Sequence, residues 1–429
     1  MDKKPWRRKQ QWIKQIERMN LFRAFVVSSQ LAAKQLGTEI RERLEFRNQV
    51  FEPQYNLLSA MAIRMSSYSR LTLLAWGVGM KLAVLKRVLN RDKRMLKFAR
   101  CIVSRMNKDY TPTCVATLQG HIKYVKSVAF HPTAPVLATG SSDFTAKLWR
   151  LSKDNSSVTC VATLEGHRYT VLSVAFHPTA PLLATGSMDK TAKLWRLSSD
   201  HSSATCIATL EGHTSIVLSV AFHPTAPVLA TGSFDNTAKL WRLSDDHSSA
   251  TCVATLEGHS CSVYSVVFHH AAPVLATGSF DNTAKLWRLS SDNSSATQVA
   301  TLEGHSRSVK SLAFHPNGSV LATGSDDNTA KLWRLSDDHS SATCVATLEG
   351  HRGGVNSVAF HPTAPLLATG SNDKTAKLWR LSSDNSSAIQ VATLEGHSND
   401  VNSVALHPTD LVLATGSDDK TAKLWRLTM

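Results

Sequence analysis

Long apolar runs and paired cysteines are scarce in this chain, and most of it carries no net charge. The main apolar stretch, Leu71–Leu85, is interrupted by Lys81 and falls short of the ~20 residues a membrane-spanning helix needs, so no transmembrane span is expected. Met1–Lys9 is charged and no apolar run follows promptly, which does not read as a secretory signal. There is no Cys-x-x-Cys pair to hold zinc. Of the seven cysteines, Cys114, Cys160, Cys206 and Cys252 recur at a spacing of 46. They therefore occupy equivalent places in successive units, where the ~4.4–6.8 Å Cα separation of a disulfide is rarely met. The thiols read as reduced, in keeping with an intracellular protein of cytoplasm or nucleus.

The formal charge of +15 is unevenly placed: residues 1–110 hold 24 of the 48 Lys and Arg but 8 of the 33 Asp and Glu. The remaining 319 residues carry 24 basic against 25 acidic side chains and are nearly neutral. The basic part reads as helix, because Trp12, Ile16, Met19, Phe22 and Val26 share one face. Its cation clusters, Lys3–Lys9 and Lys86–Lys97, suit an anionic partner such as nucleic acid or an acidic surface, or else a solvated helical hairpin.

From residue 111 onward the chain is a repeat. A Gly-His pair recurs every 46 residues, from Gly120-His121 to Gly396-His397, and a Trp stands 28 residues after each His. A fixed period of this size points to a propeller, solenoid or array. Each unit offers four short β-prone segments and no helical period. In the first these are Val125–His131, Val136–Thr139, Ala146–Leu151 and Cys160–Leu164, separated by Pro, Gly, Ser and Asp turns. The array opens on a fourth-type strand, Cys114–Leu118, and ends on a third-type one, Ala422–Leu427. The first can therefore complete the last unit and cover its strand edge.

The order Gly-His, Ser-Val-Ala-Phe, His-Pro, Leu-Ala-Thr-Gly-Ser-x-Asp, Lys-Leu-Trp resembles the signature of WD-repeat propeller blades. Seven copies over residues 111–429 imply an all-β fold, a seven-bladed β-propeller of four-stranded blades, preceded by a basic α-helical segment over 1–110. One departure is uniform: Arg follows the Trp in every copy, from Arg150 to Arg426, where the family has Asp.

The resemblance also implies a hydrogen-bonded tetrad in each blade. At matching offsets it would comprise His121, Ser127, Asp143 and Trp149; His167, Ser173, Asp189 and Trp195; His213, Ser219, Asp235 and Trp241; His259, Ser265, Asp281 and Trp287. The last three sets would be His305, Ser311, Asp327 and Trp333; His351, Ser357, Asp373 and Trp379; His397, Ser403, Asp419 and Trp425. A Ser/His/Asp trio raises the idea of a hydrolase, but a nucleophile needs one distinctive activated copy, and seven interchangeable ones speak for structure. Gly77-Val78-Gly79 lacks the third glycine of a dinucleotide site. No catalytic residue, metal, cofactor or small-molecule substrate is expected.

Variation between copies concentrates just after each His and beside each turn Asp, positions that the family's geometry puts on one face, the top. Units two to four offer Tyr169, Leu172, Met188, Ile216, Leu218, Phe234, Tyr264 and Phe280. Units five to seven offer Arg307, Lys310, Asp326, Arg352, Asn372, Asp400 and Asp418. An apolar sector beside a charged one suits a protein or peptide partner, with Tyr169, Met188, Leu218, Phe234, Tyr264 and Phe280 as its contacts; drift at unconstrained positions gives the same pattern. The expected function is a non-catalytic interaction scaffold or adaptor. The alternatives are a ubiquitin-ligase substrate receptor, for which the Trp-Asp-x-Arg motif is absent, and a nucleic-acid-associated adaptor acting through residues 1–110.

Overall fold

The computed structural model describes residues 110–428; the expected basic helices and their anionic partner fall outside the described residues. Twenty-eight strands, β1 to β28 in chain order, form seven four-stranded antiparallel sheets. The first blade is β2 (Val125–Phe130), β3 (Val136–Ser141), β4 (Ala146–Leu151) and β5 (Val158–Leu164). Each following blade repeats this order, ending with β26 (Val401–Leu406), β27 (Val412–Ser417) and β28 (Ala422–Thr428). The first strands of neighbouring blades pack side by side in a closed ring, so they are innermost. Closure is covalently out of order: β1 (Thr111–Leu118) pairs antiparallel with β28 as the last blade's outer strand.

Alternating side chains make this stacking work. Along β3 every residue is buried, because both faces of the sheet meet another blade. Val136, Ala138 and Leu148 pack towards Val171, Val174 and Trp195 of blade two. Leu137 and Trp149 point the other way, against Val412, Ala414 and Leu424 of blade seven. The hydrophobic core is thus seven layers between blades, and burying each such side chain contributes about 1.5–3 kcal/mol. The fourth strand lies at the rim, with exposed Thr and Cys. The six described cysteines are all free.

The second strand runs two residues beyond the segment expected from sequence, through Gly140-Ser141. Gly140 pairs with Ala146 in that ladder, and the next blade leaves no room for a side chain there: a Cβ would meet Val171 Cγ1 at 2.9 Å and Val174 Cγ1 at 3.1 Å.

Polar stitches join blades as well. The inner-strand serine of each blade accepts a hydrogen bond from a backbone N–H of the next. Val174 N donates to Ser127 at 3.1 Å, and Val128 N donates to Ser403 at 3.1 Å to close the circle. At the opposite edge, the arginine after each Trp gains a purpose. Arg150 donates to the Asp200 carbonyl in the next blade's loop, Arg334 to that of Asp384 at 2.7 Å, and Arg426 to that of Asp154 across the closure.

Candidate functional site

At the heart of each blade lies a chain of four polar side chains, and its hydroxyl is not the one expected from sequence. Trp149 Nε1–H donates to Thr139 Oγ1 at 2.8 Å; Thr139 Oγ1 meets His121 Nε2 at 2.7 Å; His121 Nδ1 meets Asp143 Oδ2 at 2.7 Å. Indole only donates and carboxylate only accepts, so a neutral imidazole with its proton on Nδ1 satisfies every member. The aspartate's second oxygen accepts from Thr145 N and Oγ1 at 3.1 and 2.7 Å, and Ile122 N donates to the first at 3.1 Å. Burial pushes these carboxyls up, yet the bonds from histidine and threonine outweigh it and hold Asp143, Asp189 and their counterparts below the usual range. Burial likewise lowers His213, His259, His305 and His397 despite their aspartates, which keeps the rings neutral.

The network therefore runs through Thr139, Thr185, Thr231, Thr277, Thr323, Thr369 and Thr415. Ser127, Ser173, Ser219, Ser265, Ser311, Ser357 and Ser403 do not belong to it; they make the bonds between blades. The cause is position. Thr139 stands in β3, beside the Trp-bearing β4, whereas Ser127 follows a bulge in the innermost strand and faces the neighbouring blade. Each of these threonines is fully buried and already holds an indole N–H, so none can reach a substrate.

The Gly-His loops and the Asp turns occupy one end of every blade, tied by bonds such as Ser142 N to Tyr124 O and Phe234 N to Ile216 O. On this top end Tyr169, Met188, Phe234 and Phe280 are 57, 41, 50 and 49% exposed. Leu218 and Tyr264 are only half-buried on the innermost strands, where Lys310 Nζ lies 4.2 Å from the Tyr264 ring centre. Blade one extends the arc beyond the sector read from sequence: Ile122, Tyr124 and Phe144 are exposed, and Phe144 meets Tyr169 edge-on at 6.1 Å. In blades five to seven the same end is polar and partly paired, with Arg307 and Arg352 exposed. Lys310 pairs with Asp326 at 3.2 Å, Asn356 donates to Asn372, and Asp418 takes Lys126 at 2.7 Å and Asn402 at 2.6 Å. Burial, with Asp418 beside it, pushes Asp400 up. An open cavity of about 430 Å³, lined by Phe280, Arg307, Asp326 and Asn372 among others, marks the border between the two sectors.

The family model described as "WD domain, G-beta repeat" matches seven segments: 112–150, 158–196, 204–242, 250–288, 296–334, 342–380 and 388–426. This chain belongs to the WD-repeat family. Among curated proteins it is similar to Striatin-3 of rat, mouse and human, at 54% identity over 37 residues, 9% of this chain. Those residues span 5% of the length of each relative. The likeness is therefore that of one blade's worth of WD repeat.

The bottom end of this WD-repeat propeller carries the His-Pro turns and the Ser/Asp loops. Each His-Pro histidine caps its own turn: Thr133 N and Ala134 N donate to His131 Nδ1 at 3.2 and 2.9 Å. Except at His361, where the next blade has Leu406, the ring stands edge-on to the next blade's Phe, as His131 does to Phe176 at 4.9 Å and His177 to Phe222 at 4.9 Å. Burial, then a neighbouring His201 or His247, pushes His131 and His177 down to about 4. Among the described residues no group of three or more His, Cys, Asp or Glu could hold a metal, and no helix is long and apolar enough to cross a membrane.

Proposed function

We propose that this chain, like WD-repeat propellers generally, is a non-catalytic protein-interaction scaffold that captures a protein or peptide on its top face, along the apolar arc of blades one to four. Tyr169, Met188, Phe234 and Phe280 serve as anchors, with Leu218 and Tyr264 supporting them. The observation that carries this reading is the run of large apolar side chains left exposed on adjacent blades at one end of the ring. The polar sector, by contrast, offers no exposed large apolar side chain and pairs several of its polar ones. Interface energy concentrates in a few such anchors. Peptides selected from a random displayed library on the full chain provide the test. Phe234→Ala with Phe280→Ala should weaken the selected peptides at least about tenfold, which is ~1.4 kcal/mol, with the melting temperature unchanged. Asn372→Ala with Asp418→Ala, at the same position in blades six and seven, should matter much less. Equal effects from the two pairs would move the binding site elsewhere.

A further inference from the structure

The charges around the top face are not even: exposed cations stand in blades one and two and again in blades five to seven, as Arg307, Arg352, Lys374 and Lys420, and blades three and four are bare of them. The residue two places before the Gly-His histidine is an exposed glutamate in six blades, Glu165 to Glu395, but Gln119 in blade one. Three exposed cations stand in blades one and two: Lys123, Arg168 and Lys190. They are interleaved with the arc's apolar groups. Lys123 Nζ lies 4.9 Å from the Phe144 ring centre, and Phe144 touches Tyr169, the residue after Arg168. Arg168 N donates to Asp189 Oδ2 at 3.1 Å, and Lys190 follows that aspartate directly. Asp143 and Asp189 form no ion pair with these cations, because both carboxylates are nearly buried and their oxygens already accept from histidine, threonine and backbone donors. Lys126 is already paired with Asp418. Among the described residues Glu165 is the one carboxylate of these two blades' top loops outside the networks, against three cations with no ion pair.

We propose that blades one and two take an acidic peptide segment: an apolar side chain seated against Phe144 and Tyr169, flanked by Asp or Glu carboxylates that meet Lys123, Arg168 and Lys190. This rests on the top-face reading above and gives that site its partner chemistry. Aromatic rings interleaved with cations also suit single-stranded nucleic acid, but such binding needs a continuous basic groove. Here the basic residues are interrupted: blades three and four present Glu211 and Glu257 with no basic residue in the Gly-His loop or Asp turn, before cations resume at Arg307. Guanidinium–carboxylate pairing supplies specificity by its fork geometry, and the exposed setting makes it sensitive to salt.

The test uses the full chain and three probes of equal length: a peptide of Glu flanking a central Phe and Leu, its counterpart with Lys for Glu, and an oligothymidylate. The acidic peptide should bind at least about tenfold tighter than the basic one, weaken as salt rises, and switch preference in the variant Lys123→Glu/Arg168→Glu/Lys190→Glu. The thermal midpoint of that variant should match the parent, since none of the three side chains is buried. Tyr169→Ala should weaken both peptides without changing their order. If the two peptides bind alike and both respond to Tyr169→Ala, the acidic assignment falls while the apolar-arc reading stands. If neither peptide responds to Tyr169→Ala or to Phe234→Ala/Phe280→Ala, both fall. Oligothymidylate binding at these residues that outcompetes the acidic peptide overturns the assignment in favour of nucleic acid.

Discussion

Within the blades, the same indole, hydroxyl, imidazole and carboxylate recur seven times, with Nδ1–Oδ2 distances of 2.7–2.8 Å throughout. On the top face, a few residues along the same loops, the seven positions before the turn Asp read Ser142, Met188, Phe234, Phe280, Asp326, Asn372 and Asp418. The inner positions have one solution because each buried polar atom needs its partner, and any replacement leaves another atom unmet. The outer positions lie beside the same turns, yet the turns close by backbone bonds that any side chain permits, as Phe280 N to Ser262 O and Asn372 N to Gly354 O illustrate. Uniformity between blades thus marks what the fold requires. Divergence marks what it leaves free, and the exposed apolar part of that freedom is where we propose recognition.

The sharpest break of uniformity is the chain closure, so its removal carries the largest expected effect. Deleting residues 111–118 strips β28 of its outer partner and opens a sheet edge. The expected cost is about 4 kcal/mol or more, above what single substitutions usually produce, together with concentration-dependent association. Calorimetry and sedimentation of the shortened chain check this; a monomer of parental stability would mean that the ring does not depend on its closure.

Acid tests the uniform bottom ring as a whole. All seven of these turn histidines, six followed by Pro and His269 by His270, are held below their ordinary value, first by burial. The unfolded chain takes up these protons near pH 6.5, while the folded rings at His131 and His177 refuse them until about 4. Stability is therefore complete above about pH 6.5 and declines as pH falls towards 4. The carboxylates of the networks, held low in the fold, act only below that window. Urea midpoints at neutral pH and at pH 5 should differ markedly; coincident midpoints would show that these rings are not buried neutral.

A smaller effect separates the two hydroxyls. Thr231→Val keeps the shape but leaves Trp241 Nε1–H without an acceptor and His213 Nε2 without a donor, at a cost of about 1–3 kcal/mol. Ser219→Ala removes the acceptor of Val266 N between blades three and four, which costs about 1 kcal/mol. Denaturant unfolding of the two variants gives the order, and equal losses would return the serine to the network. The sequence held this answer in a muted form. Repeat period, strand number and closure were legible because Gly-His and Trp are unmistakable punctuation. A threonine inside Leu-Ala-Thr-Gly-Ser reads instead as ordinary β-branched strand filler, and which of two hydroxyls faces the indole depends on a bulge at Val125–Ser127 that spacing does not reveal. The arc in blade one was legible at Ile122 and Tyr124, which occupy the variable loop positions. Phe144 was harder to see, since it follows its Asp where the other blades have Lys or Asn. At Leu218 and Tyr264, half-burial came from the inner strand's packing, which alternation alone leaves ambiguous.

The smallest effect tests whether uniformity or burial is the better guide. Most uniform residues are buried and most divergent ones exposed, so the two properties travel together; the arginine after each Trp separates them. Arg242 is uniform, yet its side chain is 42% exposed, and it reaches the Asp292 carbonyl of the next blade with the Asp292 carboxylate 3.9 Å away. If uniformity marks the needs of the fold, Arg242→Ala should lower stability by about 0.5–1.5 kcal/mol, the net worth of such a bond, and leave top-face peptide binding untouched. Phe234, equally exposed but divergent, should show the reverse. Arg242→Lys should recover only part of the loss, because a point charge does not reproduce the directed guanidinium N–H. Chemical denaturation and peptide titration of the same three variants decide it. An Arg242→Ala protein with parental stability would mean that exposure, not repetition, tells which residues the fold can spare.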